Sequence, residues 1–292
     1  KKLILLSILL IFGCEEATEP QDCAGVAGGT AIIDSCTVCV SGTTNLTACT
    51  QDCAGNWGGD AVEDIEENCY NTVQINEQVW MKENLKVTHY QNGDEIPTAL
   101  NKDDWVNLTS GAYAVYGDDP SNAETYGNLY NGYAVDDKRG LAPKGWHIPK
   151  PYEWDELITY LGGKEIASGK LKSIGTIENG DGLWDLWEST TKKYEATNEY
   201  GFNAVPSGCR SGARGDFDRL GNVACFWSTS EDFDYDSIRQ DLNKYAPSNI
   251  EKTALKTLGP ADAWSYFIPP GPLVIKFPMQ IQTGMSIRCL KD

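Results

Sequence analysis

Patterns of apolar and polar positions mark out most of the chain. Leu3 to Phe12 is an uncharged, mostly apolar run behind Lys1 and Lys2. It is too short for a bilayer, which needs about 20 apolar residues. Its length and basic flank fit the hydrophobic region of a signal peptide. Thr72 to Trp80 alternates apolar and polar residues with Asn76-Glu77 at a turn, which predicts a β-hairpin. From Pro151 onward the period changes: Trp154, Leu157, Ile158 and Leu161 fall on one helical face. Pro151 suits the first turn, acids gather at the positive end, and Gly162-Gly163 stop the helix. A shorter helix is predicted in YGNLYNGYAV, with Leu129, Tyr133 and Val135 on one side. Past Gly163 the chain reads as short strands and many loops, closing on an alternating strand from Met285 to Leu290. Few helices, much loop and antiparallel strand make an α+β fold class.

One region has no such periodicity. QDCAGVAGGTAIIDSC from Gln21 and QDCAGNWGGDAVEDIEENC from Gln51 share Q-D-C-A-G-x-x-G-G-x-A-x-x-D and end on a cysteine, an internal repeat. Units this small and glycine-rich lack a core and need disulfide staples. Cys23, Cys36, Cys39, Cys49, Cys53 and Cys69 form an even set whose pairing the spacing leaves open. Cys36-Thr37-Val38-Cys39 lacks the second pair or nearby histidines that zinc would want, so it reads as disulfide. Asp22, Asp34, Asp52, Asp60 and Asp64 have oxygens suited to calcium, but no D-x-[DN]-x-[DN]-G loop is present; they read as a solvated acidic stalk.

Charge and cysteine chemistry extend the picture. The net charge is −18, which repels phosphate backbones and argues against nucleic acid as a partner. There are 30 aromatic side chains, enough for a substantial core. Ile11-Phe12-Gly13-Cys14 resembles a bacterial lipobox, with a small residue before the cysteine and Glu15-Glu16 after it. That resemblance implies lipid anchoring through Cys14, since two or three acyl chains hold a protein stably to a membrane. In some Gram-negative lipoproteins an acidic stretch at this place marks export to the outer face. The expected location is therefore the outer membrane, at the cell surface. The expected layout is a signal peptide over 1–13, an acidic cysteine-rich stalk over 14–68 and a head over 69–292.

Several stretches of the head carry a family resemblance: VWMKENLKV, ETYGNLYNGYAV, LAPKGWHIPKPYEWDELITYLGG, GKLKS, EYGFNAVPSGCRS, FWSTSED and GMSIRCLKD. Together they resemble the Fibrobacter succinogenes major paralogous domain of surface and secreted bacterial proteins. The resemblance covers the head and implies a C-type-lectin-like layout, similar to formylglycine-generating enzymes. That layout has paired N- and C-terminal strands, two helices and long loops carrying the variable surface. Where many members have cysteines, Ala114 and Ala142 stand here. Cys209 and Cys225 are a candidate replacement pair, and Cys289 either pairs with Cys69 or stays free. Nine non-anchor cysteines leave at least one unpaired within the chain.

Candidate site residues follow. Trp146, Trp154 and Trp227 sit among apolar neighbours and read as core. Trp105, Trp184, Trp187, Trp264 and Tyr235 lie in loop-like sequence and are candidates for stacking against sugars. Glu231, Asp232, Asp234 and Asp236 are candidate calcium ligands, calcium being the one cofactor considered. His147 reads as a hydrogen-bonded structural histidine. Neither a nucleophile elbow nor another catalytic constellation appears. The expected function is binding of an extracellular polysaccharide or surface protein, without catalysis. The alternatives are an oxidase-like enzyme related to formylglycine-generating enzymes, or a purely structural envelope protein.

Overall fold

The computed structural model describes residues 19–185, 196–230, 262–271 and 273–292, which fall into two compact units divided between Gly59 and Asp60. The division runs through the second repeat.

The first unit is built on aspartates and disulfides. Strands β1 (Ile32–Ile33) and β2 (Cys39–Val40) pair antiparallel. Disulfides join Cys23 to Cys39 and Cys36 to Cys49. Asp22 accepts the backbone N–H groups of Ala24, Val26 and Ala31. Asp34 does the same for Cys36, Val38 and Cys49. These donors, Val26 for Asp22 and Cys49 for Asp34 foremost, hold both carboxyls below the usual range. A Cβ on Gly29 would lie 1.9 Å from Asp22 Oδ2, and one on Gly59 2.0 Å from Asp52 Oδ2. The second glycine of each G-G therefore makes room for the aspartate of the same repeat. Cys53 and Cys69 are also disulfide-bonded, so all six cysteines of the even set are oxidised.

The second unit opens with β3 (Val62–Glu63) and β4 (Cys69–Tyr70), an antiparallel pair. Asp64 organises their turn, accepting from Glu66 N, Asn68 N and the Tyr70 hydroxyl. The predicted hairpin follows as β5 (Thr72–Ile75) and β6 (Gln78–Met81), with Asn76 at φ 55° in the turn. Next come α1 (Lys102–Val106), β7 (Tyr113–Ala114), α2 (Asn122–Tyr126), β8 (Leu129–Tyr130), α3 (Gly132–Val135) and β9 (Trp146–His147). Helices α4 (Pro151–Tyr160) and α5 (Lys164–Leu171) lead to β10 (Ser207–Arg210), β11 (Phe217–Leu220) and β12 (Ala224–Trp227). Strands β13 (Asp262–Ile268), β14 (Ile275–Gln280) and β15 (Leu290–Lys291) end the chain. One sheet runs β5-β6-β15-β9 and another β11-β10-β12-β13-β14, in which only β10 and β12 are parallel. The class is α+β, as expected.

Helix α4 starts on Pro151, and Glu153 closes its first turn by accepting from Lys150 N at 2.7 Å. Trp154, Leu157, Ile158 and Leu161 are buried, and Gly162 and Gly163 end the helix at φ 101° and 93°. Two expectations need correction. The second predicted helix is only the four residues of α3, while Leu129 belongs to β8. Asn131 starts that helix afresh, its Oδ1 accepting from Ala134 N and Ala112 N. The closing strand is also shorter than its alternation suggested. Met285 and Ser286 make isolated bridges to Tyr130 and Phe226, and only Leu290–Lys291 joins the sheet.

Trp154 centres one core cluster, 4.9 Å from Trp80, 5.1 Å from Tyr266 and 5.4 Å from Phe226. Polar groups are buried beside it. Arg288 is wholly enclosed between the rings of Phe202 and Phe226. It donates to Asn84 Oδ1 at 2.7 Å, Met81 O at 3.1 Å and Phe202 O at 2.5 Å. Lys172, 3% exposed, donates to Pro270 O and lies over the Trp184 ring. Burial pulls its pKa down to about 8.

Two stability predictions follow. Arg288→Met strands the carbonyls of Met81, Phe202 and Asn84 and should cost about 3 kcal/mol in urea unfolding, a buried unpaired acceptor costing about 1–3 kcal/mol. A loss below about 1 kcal/mol would refute the role given to this network. Lys172 behaves oppositely. Its folded pKa lies below the ordinary value of 10.5, so at neutral pH the fold carries the cost of a buried charge. That cost fades as pH rises from about 8 to 10.5, because the folded state sheds the proton first. Lys172→Met should therefore be more stable than wild type by roughly 2 kcal/mol at pH 7, with the gap narrowing toward pH 10. A gap that does not change with pH would contradict this.

Candidate functional site

Four of the sequence stretches quoted above meet at one place. VWMKENLKV supplies Lys82, Glu83, Asn84 and Lys86; ETYGNLYNGYAV supplies Glu124, Thr125 and Gly127; EYGFNAVPSGCRS supplies Asn203 and Val205; GMSIRCLKD supplies Arg288. Together with residues 69–71 they line a pocket of about 210 Å³. The floor is the buried network itself. Asn84 accepts from Arg288 and donates through Nδ2 to Tyr126 O at 2.8 Å. The walls are polar and hold each other in position. Glu83 accepts from Asn71 N at 2.8 Å and Asn71 Nδ2 at 3.1 Å. Lys86 pairs with Glu124 at 2.5 Å. Tyr70 receives Lys86 N and donates to Asp64 at 2.7 Å, and burial raises its phenol far above the ordinary value.

Gly127 keeps this arrangement open to the floor. It adopts φ 73°, and a Cβ there would lie 2.6 Å from Asn84 Cβ and 2.9 Å from Leu85 O. The pocket thus offers cationic donors and anionic acceptors side by side on a rigid frame. Its cysteine, Cys69, is disulfide-bonded and cannot act as a nucleophile. Such a lining suits a polar, hydroxyl-rich ligand held by hydrogen bonds.

The ligand-surface candidates that the structure describes lie elsewhere, and two of them are corrected. Trp105 is wholly buried beneath the Arg210 guanidinium, 4.3 Å from its ring centroid. Trp184 is buried and donates to Ser173 Oγ at 3.0 Å. Neither can stack on a sugar. Trp264 is half-buried in β13, with Lys276 Nζ 4.7 Å over its ring. Trp187, Tyr235, Glu231, Asp232, Asp234, Asp236 and Cys14 lie outside the described residues. Trp146, Trp154 and Trp227 are buried, as their neighbours suggested.

The cysteine expectations also change. Cys209, Cys225 and Cys289 all carry free, buried thiols, so neither a Cys209–Cys225 nor a Cys69–Cys289 bond is present. Asp34, Cys36 and Cys49 cluster like metal ligands, but their sulfurs are joined to each other and Asp34 is taken by backbone donors. His147 is held between Asp292 at 2.8 Å and Glu153 at 3.1 Å, a structural tie from β9 to the C-terminus. In Arg214-Gly215-Asp216 the arginine pairs with its own aspartate at 3.1 Å. Among the described residues, no helix is long and apolar enough to cross a membrane.

Lys82, Glu83, Lys86 and Glu124 were not singled out from the sequence. Their signal was present in the motif stretches, but only folding shows that those stretches share a pocket. A family model, the Fibrobacter succinogenes major domain, matches residues 73–291. No curated protein and no solved structure matches the chain. The family match takes in most of the chain, which therefore belongs to the Fibrobacter succinogenes major domain family.

Gly127→Ala tests how the pocket is held. The substitution forces an alanine to positive φ against Asn84 and should lower stability by about 2 kcal/mol in urea. An unchanged unfolding midpoint would show that the 127 backbone is not pinned to the pocket floor.

Proposed function

We propose that this family member is a lipid-anchored protein of the outer membrane, exposed at the cell surface, whose head binds an extracellular polysaccharide in the pocket beside Lys82 and Glu124. The observation that carries the reading is the meeting of four family-motif stretches at one polar pocket whose cysteine is disulfide-bonded. A pyranose presents hydroxyls that both donate and accept. The alternating charges of Lys82, Glu83, Lys86 and Glu124 complement that pattern without demanding net charge. The lectin-like arrangement is part of the proposal. It draws support from β15, whose Leu290 pairs with Trp80 of the N-terminal hairpin on one side and His147 on the other.

The burial of Trp105 and Trp184 moves the proposed contact from aromatic platforms to hydrogen-bonding groups. The oxidase-like alternative needs two acidic thiols, whereas burial pushes the Cys225 thiol up. A surface protein as ligand would need a docking face larger than this pocket.

Binding to an array of plant and microbial polysaccharides, in calcium and in chelator, tests the reading. At least one glycan should bind, and Lys82→Ala and Glu124→Gln should each weaken it about tenfold at unchanged melting temperature. Glu124 is exposed, so its ion pair contributes little to stability. Absence of glycan binding, or binding indifferent to both substitutions, would refute the pocket's role.

A further inference from the structure

The five-stranded sheet carries a second cavity, of about 290 Å³. Cys209 on β10 opens onto it. Arg214, Asp218 and Arg219 form its polar side, and Phe277, Pro278 and Met279 of β14 its apolar side. Cys209 Sγ donates to Asp218 Oδ1 at 3.1 Å. Cys225 lies directly behind. Gly208 and Ala224 are partners in the parallel pairing of β10 with β12, which sets Cys209 beside Cys225. Neighbouring strands are about 4.8 Å apart, within the roughly 4.4–6.8 Å between Cα atoms that a disulfide spans.

Both thiols are nevertheless free, in a chain whose cysteines from Cys23 to Cys69 are all bonded. Among the described residues the pair and Asp218 do not bring three ligand atoms together as a metal site would. What the geometry provides is a buried thiol at the cavity wall, an acceptor for its proton, a second thiol on the neighbouring strand, and an open space with an apolar wall.

We propose that Cys209 and Cys225 form an exchangeable dithiol that takes a small disulfide in this cavity. Cys209 sulfur, having passed its proton to Asp218, attacks one sulfur of the incoming disulfide. The disulfide's S–S bond breaks, and the departing thiolate recovers the proton and leaves as a thiol. Cys225 then attacks Cys209 Sγ, the mixed disulfide breaks, and the second thiol leaves with the Cys225 proton. The protein loses two electrons and two hydrogens, and the small disulfide gains them. Cys209 is the entry residue because it lines the cavity, whereas Cys225 is fully buried.

The second step is the slow one. Burial raises the Cys225 thiol, and it faces Cys209 on β10, Asp218 and Arg219 on β11 and the uncharged Phe267 on β13. Arg219 favours its thiolate and Asp218 opposes it. The thiolate is the attacking species, so this step should quicken roughly tenfold per pH unit below the thiol's pKa.

Dithiodipyridine, a small neutral aromatic disulfide, is the probe, used on the folded full chain with released pyridinethione read by absorbance. Wild type should release one equivalent quickly and a second more slowly, with the slow phase accelerating as pH rises. Peptide mapping should then find Cys209 joined to Cys225. Cys225→Ser or Cys225→Ala should stop at one equivalent with the label on Cys209. If neither variant folds, acid-quenched wild type should show the same mixed disulfide on Cys209 at early times. Thiols that stay silent until the protein is unfolded, or a first label on Cys225 or Cys289, would overturn the proposal.

Discussion

Arg288 brings a positive charge into the interior, and among the described residues no carboxylate is hydrogen-bonded to it. Such a group is tolerated only where neutral acceptors surround it. Here they come from two separated segments: Met81 O and Asn84 Oδ1 at and just after the end of the hairpin, and Phe202 O and Asn203 O before β10. The rings of Phe202 and Phe226 cover its faces. The charge thus fixes where the C-terminal segment must pass relative to both. Once it does, Leu290 falls between Trp80 and His147, closing the four-stranded sheet. Arg210 is a partial parallel, held by Gly215 O and Leu100 O and stacked against Trp105 and Phe217, but with Asp118 3.8 Å from its Nη1.

The repeat segment reaches order by a different route. Its strands have two residues each, and Ile32 and Ile33 remain exposed. With so little area to bury, the backbone is organised by aspartate carboxylates that each collect several N–H groups, and by disulfides that limit the unfolded chain. Asp64 uses the same device inside the larger unit. It organises its turn as Asp34 does, but it is buried and also receives the Tyr70 hydroxyl of the larger unit.

What the sequence revealed follows this division. The hairpin at Asn76 and helix α4 were legible because each is specified locally, by a turn residue, a proline and a run of contacts four residues apart. The need for disulfides in the repeat segment was legible from the absence of core residues. The fates of Trp105 and Trp184 were not. Trp105 is buried because Arg210, far away in sequence, lies over it, and Trp184 because Ser173 and Lys172 close around it. Loop-like surroundings describe backbone chemistry and say little about which distant side chains arrive. The pocket was hidden for the same reason: its residues stood in the quoted motifs, but their convergence is a property of the fold.

The free thiols fit the same logic. In the repeat segment cysteines must be bonded because little else holds the chain. In the larger unit Cys209, Cys225 and Cys289 sit in a core that already supplies the ordering. Bonding Cys209 to Cys225 would tie residues that sheet pairing already holds side by side, so it would restrain the folded state little further. The separation of these two cysteines along the chain matches that of Cys23 and Cys39, so the difference from the stalk lies in the core that already orders the larger unit. The Cys209–Cys225 bond is thus less needed for stability than those of the stalk. A cysteine pair relieved of structural duty, with one member opening onto a cavity, is free to be selected for its chemistry.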